Sequence, residues 1–346
     1  RSSEKVWSRW PAEIRDRKPK ALEALKNELR VQIEMEQFIQ YILFKQWFSL
    51  KEYCNHKGIR IMGDLPIYVQ YNSADVWVNP AIFKLDKHKK PYVVAGVPPD
   101  YFSSTGQLWG NPLYRWDVLK ENGYGWWLKR IKHNLKLTDM LRIDHFRGLV
   151  GYWEVPAEEQ TAVNGKWVQA PAKDFLNKLI KRFPDLPVIA EDLGIITPDV
   201  KEVMRRFGFP GMKVLLFAFG DGISGNPYIP HNLVKECVLY TGTHDNNTAR
   251  GWFEKEASSQ EKNNLFEYLG RQIQAEEISW ALIRLAMMSV ADTVIFPIQD
   301  VLGLGQEARM NTPATTHGNW QWRLLPEQLT PEIAHRLLQA TRLYAR

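Results

Sequence analysis

The sequence predicts an α/β fold built on a parallel sheet, and two patterns support that prediction. Short runs of buried-type residues recur along the chain, and stretches with helical spacing lie between them. This alternation is typical of parallel strands with helices packed on the sheet. The runs are continuously apolar rather than alternating in polarity, as expected for strands that are covered on both faces. We therefore expect either an open six-stranded sheet or a (β/α)8 barrel.

The composition is that of a folded protein and excludes several functional classes. The chain has 346 residues, 45% hydrophobic and 24% charged, which suits one large domain or two ordinary ones. No apolar run reaches the roughly 18 residues of a membrane span. A net charge of +6, without a basic stripe or a recognised module, argues against nucleic-acid binding. The two cysteines, Cys54 and Cys237, exclude a disulfide framework and favour a reducing compartment.

The first predicted element is a leading helical segment over residues 1–57. Apolar residues recur at steps of three and four from Leu22 to Leu50, and the stretch is long enough for two helices. Pro19 precedes this pattern and Gly58 ends it, as helix-boundary residues do.

Strands and helices then alternate to near the end of the chain. The strand runs are Ile59–Val69, Met140–Phe146, Pro187–Leu193, Met212–Phe219, Val238–Thr243 and Thr293–Gln299. The clearest helical stretches between them are Lys173–Phe183, Pro198–Phe207 and Glu276–Val290.

Six strands are two fewer than a (β/α)8 barrel contains, although the length exceeds the ~250 residues that such a barrel needs. The first two strand–helix units of a barrel would therefore precede residue 1. The chain begins without methionine and without the apolar core of a signal peptide, so we expect it to be a fragment. On this hypothesis residues 1–346 form a catalytic barrel that is incomplete at its N-terminus, and residues 70–139 form an inserted aromatic-rich loop subdomain.

Carboxylates follow three of the predicted strands. Asp144 ends the run MLRID, Glu191 and Asp192 follow LPVIA, and Asp245 follows VLYTGTH. The C-terminal ends of barrel strands form one face, where active sites lie, so we expect these acids to converge. A single acid at such a position commonly caps the next helix, and Asp192 is a candidate for that role.

Two basic residues strengthen the catalytic interpretation. Arg142 precedes Asp144 by two residues and so lies on the same face of the strand, while His244 is adjacent to Asp245. A guanidinium beside Asp144 would keep it ionised, as a nucleophile must be. A second acid in a drier site, or near a like charge, would be the proton donor. A carboxylate pair of this kind is what glycosidic bond cleavage requires.

Other chemistries find less support. The Asp144–His145 and His244–Asp245 steps could belong to a metal centre, but no H-x-H or H-E-x-x-H spacing occurs and the histidines are scattered. The stretch Gly303–Ala308 has the spacing of a dinucleotide-binding loop, yet no strand with a terminal acid follows it about 20 residues later. Neither a G-x-S-x-G elbow nor a phosphate-binding loop is present. We therefore expect no metal and no cofactor.

Tryptophan is unusually frequent, with 14 in the chain. Two of them, Trp109 and Trp116, lie in Ala95–Trp116, a stretch rich in glycine and proline that also holds Tyr101, Phe102 and Tyr114. These rings could pack in a surface subdomain. We favour the hypothesis that the stretch is a lid loop of aromatic platforms over a sugar-binding groove.

Taken together, the motifs of the chain resemble those of the amylomaltases, or 4-α-glucanotransferases, a family related to the α-amylases. The matching stretches run in family order from about Lys45 to the end: GDLPIYV, SADVWVNP, AGVPPDYFSSTGQLWGNPLYRW, RIDHFRG, IAEDLG, NPYIPHN, TGTHDNNTARGW, FPIQDVLGLG, RMNTPAT and GNWQWR. The resemblance implies a (β/α)8 TIM barrel with inserted subdomains, whose first two strand–helix units precede this chain.

The resemblance also implies roles for individual residues. Asp144 would be the nucleophile, Glu191 the general acid/base and Asp245 the third acid, which binds sugar hydroxyls. Substrate-binding positions would be Arg142, His244, Tyr101, Trp109, Asp221 and Asn311. The implied partners are an α-1,4-glucan or maltooligosaccharide donor and a glucose or maltooligosaccharide acceptor, with no nucleic acid and no membrane. The three acids alone would fit an amylase-like hydrolase equally well, and a non-catalytic glucan-binding protein is a third hypothesis.

Overall fold

The structure is a computed structural model that describes residues 6–99, 103–313 and 315–346. The chain divides into two compact units, Arg1–Phe209 and Pro210–Arg346.

The first unit begins with helices and continues as a mixture of strands and helices. Its helices are α1 (Ala12–Arg15), α2 (Pro19–Glu28), α3 (Arg30–His56), α4 (Ala74–Val78), α5 (Trp116–Glu121), α6 (Gly125–Leu137), α7 (Ala172–Arg182) and α8 (Pro198–Phe207). Its strands are β1 (Met62–Pro66), β2 (Val93–Val97), β3 (Gln107–Pro112), β4 (Met140–Asp144), β5 (Gly151–Pro156), β6 (Lys166–Gln169) and β7 (Val188–Ala190).

The helical segment near the start contains two long helices, as its length predicts. Leu29 separates α2 from α3. None of the residues of α3 is buried, and many of its apolar side chains are exposed. Contacts of this helix with the rest of the unit include the Trp47 indole, which donates to the Leu137 carbonyl at 2.8 Å, and the pair of Lys51 with Asp139. The Phe44 ring also lies 6.0 Å from that of His133.

Three strands of this unit form a parallel arrangement in the order β1-β4-β7. Each lies within a predicted strand run, although the runs are longer than the strands. The register pairs Asp64 with Arg142 and Pro66 with Asp144. Because parallel strands point the same way, the polar residues that end or follow them lie at one edge of the sheet.

The aromatic stretch Ala95–Trp116 differs from its prediction as a lid loop. It contains the end of β2 and all of β3, which belong to an antiparallel sheet in the order β3-β2-β5-β6. Tyr114 and Trp116 are buried, with the Tyr114 ring 5.5 Å from that of Trp127. The rings pack against one another because burying large aromatic surfaces is strongly favourable. For these two residues the core explanation is correct, and the groove hypothesis is wrong.

The second unit follows the same strand–helix pattern. Its strands β8 (Gly211–Val214), β9 (Cys237–Tyr240) and β10 (Thr293–Ile295) are parallel and lie in that order. Its helices are α9 (Ala249–Gly251), α10 (Ser259–Leu269), α11 (Ile278–Met288), α12 (Ile298–Val301) and α13 (Pro331–Leu343). Helix α11 is buried along most of its length. The parallel α/β organisation predicted from the sequence is confirmed within each unit.

In the part of the chain that the structure describes, no helix combines the length and apolar character needed to cross a bilayer.

Candidate active site

Strand β4 places Arg142 and Asp144 on one side of the sheet, as their two-residue spacing predicts. The Arg142 guanidinium donates to the Asp144 carboxylate from Nη2 at 2.9 Å. Its other terminal nitrogen, Nη1, donates to the Asp64 carboxylate of β1 at 2.6 Å. The side chain of Arg142 is 10% exposed, whereas those of Asp64 and Asp144 are nearly half exposed. A single guanidinium therefore orients two carboxylates.

Neighbouring carboxylates stabilise the charged form of Arg142. Burial alone would lower its pKa, but the carboxylates of Asp64, Asp144 and Glu191 together raise it above the usual arginine value. Arg142 is consequently a permanent cation whose charge is shared among three acids.

Glu191 lies immediately after β7 and is held from both sides. Its Oε2 accepts from the His145 backbone N–H at 2.8 Å, and its Oε1 accepts from the Leu193 N–H at 2.7 Å. Burial first and the negative charge of Asp144 second raise the pKa of Glu191 to about 7, while the two N–H donors and Arg142 oppose that rise. Glu191 is thus poised to give and take a proton near neutral pH.

His145 forms the turn between β4 and the 3₁₀ segment Phe146–Leu149. It adopts a left-handed backbone conformation with φ of 51°, which is uncommon for a residue other than glycine. That turn directs the His145 N–H at Glu191. The imidazole packs edge-on against Trp109, with ring centroids 4.7 Å apart. Burial lowers the pKa of His145 to about 4, so the ring is neutral at pH 7.

Trp109 lies on β3 and keeps part of its ring in solvent. It is 37% exposed, and its indole N–H donates to Gln107 Oε1 at 3.1 Å. Tyr68, which is buried, contacts both the Trp109 and the His145 rings at 6.3 Å between centroids. Trp109 is therefore a partly open aromatic surface beside the turn that follows Asp144.

The second unit brings Asp245, His244 and Asn311 together. Asn311 Nδ2 donates to Asp245 Oδ1 at 2.6 Å, and His244 Nε2 lies 3.5 Å from Asp245 Oδ2. Arg309 fixes the same turn, because it donates to the Asp245 backbone carbonyl and to Glu256 Oε1. The indole of Trp320 lies 5.3 Å from the His244 ring and is about half exposed.

The two remaining predicted substrate-binding residues are Asp221 and Tyr101. Asp221 is exposed, just before the 3₁₀ turn Ile223–Gly225. Tyr101 lies outside the described residues.

Sequence reasoning missed Asp64, Trp320 and Arg309. Asp64 had a signal: the stretch GDLP carries an acid in the first strand, in register with Arg142. Trp320 is in the quoted motif GNWQWR, but nothing local to that motif relates it to His244. Arg309 donates to a backbone carbonyl, and every residue type carries that acceptor, so the sequence does not indicate the contact.

Within residues 6–99, 103–313 and 315–346, no cluster of three or more His, Cys, Asp or Glu side chains has the arrangement to hold a metal ion. The first unit instead holds two acids in contrasting surroundings. Asp144 is half exposed and bound to a guanidinium, whereas Glu191 is partly buried and has a raised pKa. Such a pair can combine a charged nucleophile with a proton donor.

Comparison with known proteins identifies the family. Residues 1–329 match the family model described as 4-alpha-glucanotransferase. The chain is 50% identical to the 4-alpha-glucanotransferases of Thermus thermophilus and of Synechocystis sp., over 96% and 98% of its length and 67% of each relative. A solved amylomaltase from Streptococcus agalactiae, in complex with acarbose, superposes with a TM-score of 0.95 at 41% identity, covering 99% of this chain and 69% of that one.

The chain thus spans about two thirds of the length of these relatives. The match extends across both units. The resemblance inferred from the motifs is confirmed, and the chain belongs to the 4-alpha-glucanotransferase family.

Proposed function

We propose that this protein transfers α-1,4-glucan segments from a maltooligosaccharide or starch donor to the 4-hydroxyl of glucose or of another glucan. The observation that carries the proposal is the pair formed by Glu191, with its pKa near 7, and the arginine-bound Asp144. Family membership supplies the substrate class, because the matching model and relatives are 4-alpha-glucanotransferases.

In the first step Asp144 is the nucleophile. Its carboxylate oxygen attacks the anomeric carbon of the donor sugar while the glycosidic bond breaks, and Glu191 gives its proton to the departing oxygen. The products are a glycosyl ester on Asp144 and a shortened glucan. The Arg142 contact supports this role because it keeps the carboxylate charged and orients one of its oxygens.

In the second step Glu191, now ionised, takes the proton from the acceptor 4-hydroxyl as that oxygen attacks the anomeric carbon. The ester bond breaks, Asp144 is released as a carboxylate, and the configuration is retained after two inversions. This double displacement requires the two carboxyl groups to be about 5–5.5 Å apart. The effect of the Asp144 charge on the pKa of Glu191 is consistent with such proximity.

We further propose that Asp245 is the third acid and that it binds sugar hydroxyls. The Asn311 and His244 contacts support this role, because they fix the orientation of the Asp245 carboxylate. The proposed substrate-binding residues are Arg142, His244, Tyr101, Trp109, Asp221 and Asn311. The exposed face of Trp109 suits the apolar side of a glucose ring.

Transfer rather than hydrolysis needs an acceptor sugar to reach the intermediate before water does. Aromatic surfaces near the site favour that outcome, since they hold an acceptor in place and exclude water. We propose that the parallel strands belong to a (β/α)8 barrel, with residues 1–57 leading into it and residues 70–139 inserted. The strand–helix alternation within each unit supports the barrel. The two free cysteines support a reducing compartment, cytosol or stroma.

The test is incubation with maltotriose, followed by separate measurement of longer maltooligosaccharides and of reducing ends. Transfer produces glucose and longer chains with a constant number of reducing ends, whereas hydrolysis increases that number. Asp144→Asn and Glu191→Gln should each lower transfer by about 10³-fold or more while the fold is retained. Mainly hydrolytic products, or full transfer by Asp144→Asn, would refute the proposal.

A further inference from the structure

The short segment that follows Asp144 is contacted by both outer strands of the antiparallel sheet. Trp109 on β3 packs against His145, with ring centroids 4.7 Å apart. Trp167 on β6 lies beneath Arg147, whose guanidinium carbon is 3.9 Å from the centroid of the ring. Since β3 and β6 are the two ends of the order β3-β2-β5-β6, a single sheet contacts this segment at two points.

Trp167 is itself held in place. It lies directly opposite Trp153 in the antiparallel register, with the ring centroids 5.2 Å apart and the planes at 66°. Trp153 is fixed by its indole N–H, which donates to the Ala162 carbonyl at 2.8 Å. The surface on which Arg147 rests is therefore ordered by the sheet and by a second tryptophan.

Arg147 also reaches the loop that carries Glu191. Its Nη1 donates to the backbone carbonyl of Ile195. The loop between β7 and α8 has no regular structure, and Ile195 is 56% exposed, so little apolar packing holds that part of the loop. The same loop contains the Leu193 N–H that donates to Glu191 Oε1. Arg147 is thus a direct link between the Trp167 surface and the loop that orients Glu191.

We propose that Arg147 is a positioning residue which, by joining Trp167 to the Ile195 carbonyl, fixes the Glu191 loop relative to the segment that follows Asp144. This inference rests on the proposed function for its catalytic consequence, but its geometry does not depend on the reaction. The bridge complements the backbone bonds that His145 and Phe146 already make to Glu191. With it, both ends of the loop segment 191–195 are tied to the segment 145–147.

Holding the Arg147 guanidinium in this position costs free energy. Its Nε–H is buried and has no acceptor in the described ranges of the chain. Burial lowers the pKa of Arg147, and the charge of Asp199 in the first turn of α8 only partly opposes that effect. A buried donor without a partner is unfavourable, so the stacking and the Ile195 contact must offset it. A planar guanidinium can stack flat on the indole while its edge donates to the carbonyl, whereas an ammonium has no planar face to stack.

Loss of the bridge has a directional consequence for Glu191. A looser loop weakens the bond from the Leu193 N–H, and that bond favours the charged form of Glu191. The pKa of Glu191 should then rise. The other charges that act on it, those of Asp144 and Arg142 on β4, are unchanged by a substitution at position 147.

The experiment measures the pKa of Glu191 directly, by carbon-13 NMR of the full chain labelled at the glutamate side-chain carboxyl, with Glu191→Gln to assign the signal. The variants are Arg147→Lys, which keeps the charge, Arg147→Met, which removes it, and Trp167→Leu, which removes the stacking surface. Arg336→Lys is the matched control, because Arg336 stacks on Trp280 at 3.8 Å in the other unit. Maltotriose transfer is measured in parallel.

We expect the pKa of Glu191 to rise by about 0.5 or more in both Arg147 variants, to rise in Trp167→Leu, and to stay unchanged in Arg336→Lys. The kcat for transfer should fall about 10-fold in Arg147→Lys with little change in KM. An unchanged pKa in Arg147→Lys overturns the inference, even if Arg147→Met shifts it, because charge alone then accounts for the effect. If the wild-type chain shows no transfer, the proposed function fails, while the NMR measurement still decides the role of Arg147.

Discussion

Replacing the proposed nucleophile should make the proposed acid more acidic. In Asp144→Asn a neutral amide takes the place of the carboxylate, so the like-charge repulsion that disfavours ionised Glu191 disappears. The shape of the residue at position 144 is nearly preserved. The Leu193 and His145 N–H groups are main-chain donors, so the substitution leaves them in place. We therefore expect the pKa of Glu191 to fall below its wild-type value of about 7.

The size of the fall follows from the charge interaction. At the separation of about 5.5 Å required for a retaining mechanism, and an effective dielectric constant of about 20, two unit charges interact by about 3 kcal/mol. The Asp144 side chain is 43% exposed, so solvent screening reduces this to about 1 kcal/mol. That energy corresponds to a fall of roughly 0.7 in the pKa of Glu191. Burial, the larger cause of the elevation, remains, so the pKa should stay above 4.5.

The assay is the same carbon-13 titration of Glu191, carried out on the wild type and on Asp144→Asn. Asp139→Asn serves as a control for removing a carboxylate elsewhere in the first unit, where it pairs with Lys51. A pKa for Glu191 that is unchanged or higher in Asp144→Asn, with the control equal to wild type, would refute the claim that the two acids share one electrostatic environment.

The remaining predictions concern pH, sugar binding and stability. The kcat/KM for transfer should fall as pH rises through about 7, because Glu191 loses the proton that it donates; a constant kcat/KM between about pH 6 and 9 would contradict its role as the acid. Trp109→Ala should raise KM about 3- to 10-fold and increase the hydrolysed fraction of maltotriose. A KM and a hydrolysed fraction equal to those of the wild type would argue against a sugar contact. Although burial opposes it, hydrogen bonds from the Ile61 N–H, Lys51 and Asn55 lower the pKa of Asp139 to about 2. This group therefore stabilises the fold above the unfolded pKa near 3.8, and that contribution is lost as pH falls through about 2. Asp139→Asn should accordingly reduce the free energy of unfolding by about 2 kcal/mol at pH 7 and by little near pH 2, which denaturant titration at both pH values would check.

The strands were predictable because a parallel strand covered on both faces has a distinctive sequence. The two predicted runs at β4 and β9 are short and largely apolar. The run Met140–Phe146 contains β4, and the run Val238–Thr243 overlaps β9, which begins one residue earlier at Cys237. Their ends were less predictable: Val238–Thr243 extends past the end of β9 at Tyr240. Thr241 and Thr243, beyond the end of β9, are β-branched, yet in the structure they belong to the turn that leads to the candidate site residues His244 and Asp245.

The aromatic stretch shows where composition is insufficient. Tyr114 and Trp109 lie five residues apart in the same glycine- and proline-rich sequence, but the first is buried and the second is partly open. What separates them is the packing of Tyr114 against Phe83 and Trp127, residues distant in sequence. No local pattern records such contacts. The antiparallel sheet was missed for the same reason, since β2 and β5 pair across more than 50 residues.

The sequence predicted the residue types of the candidate site, but it did not predict all of their contacts. The spacing of Arg142 and Asp144 on one strand is a local property, and it correctly implied their contact. Asp64 meets the same guanidinium only because β1 and β4 are neighbours in register. Sequence reasoning that stops at single strands therefore finds the acid and its cation but not the second carboxylate that shares the cation.

That second carboxylate changes how the pair works. If Arg142 interacted with Asp144 alone, its charge would largely cancel that of the nucleophile and would also hold down the pKa of Glu191. Because Arg142 also contacts the Asp64 carboxylate, the group of one guanidinium and two carboxylates carries a net charge of about −1. In the proposed mechanism, this residual charge would favour a nucleophilic Asp144 and a protonated Glu191 before the first step. Formation of the proposed glycosyl ester would neutralise Asp144 and end the repulsion, so the pKa of Glu191 would fall when that residue must act as a base. We therefore propose that the same electrostatic contact sets both protonation states of Glu191 in the order that the double displacement requires.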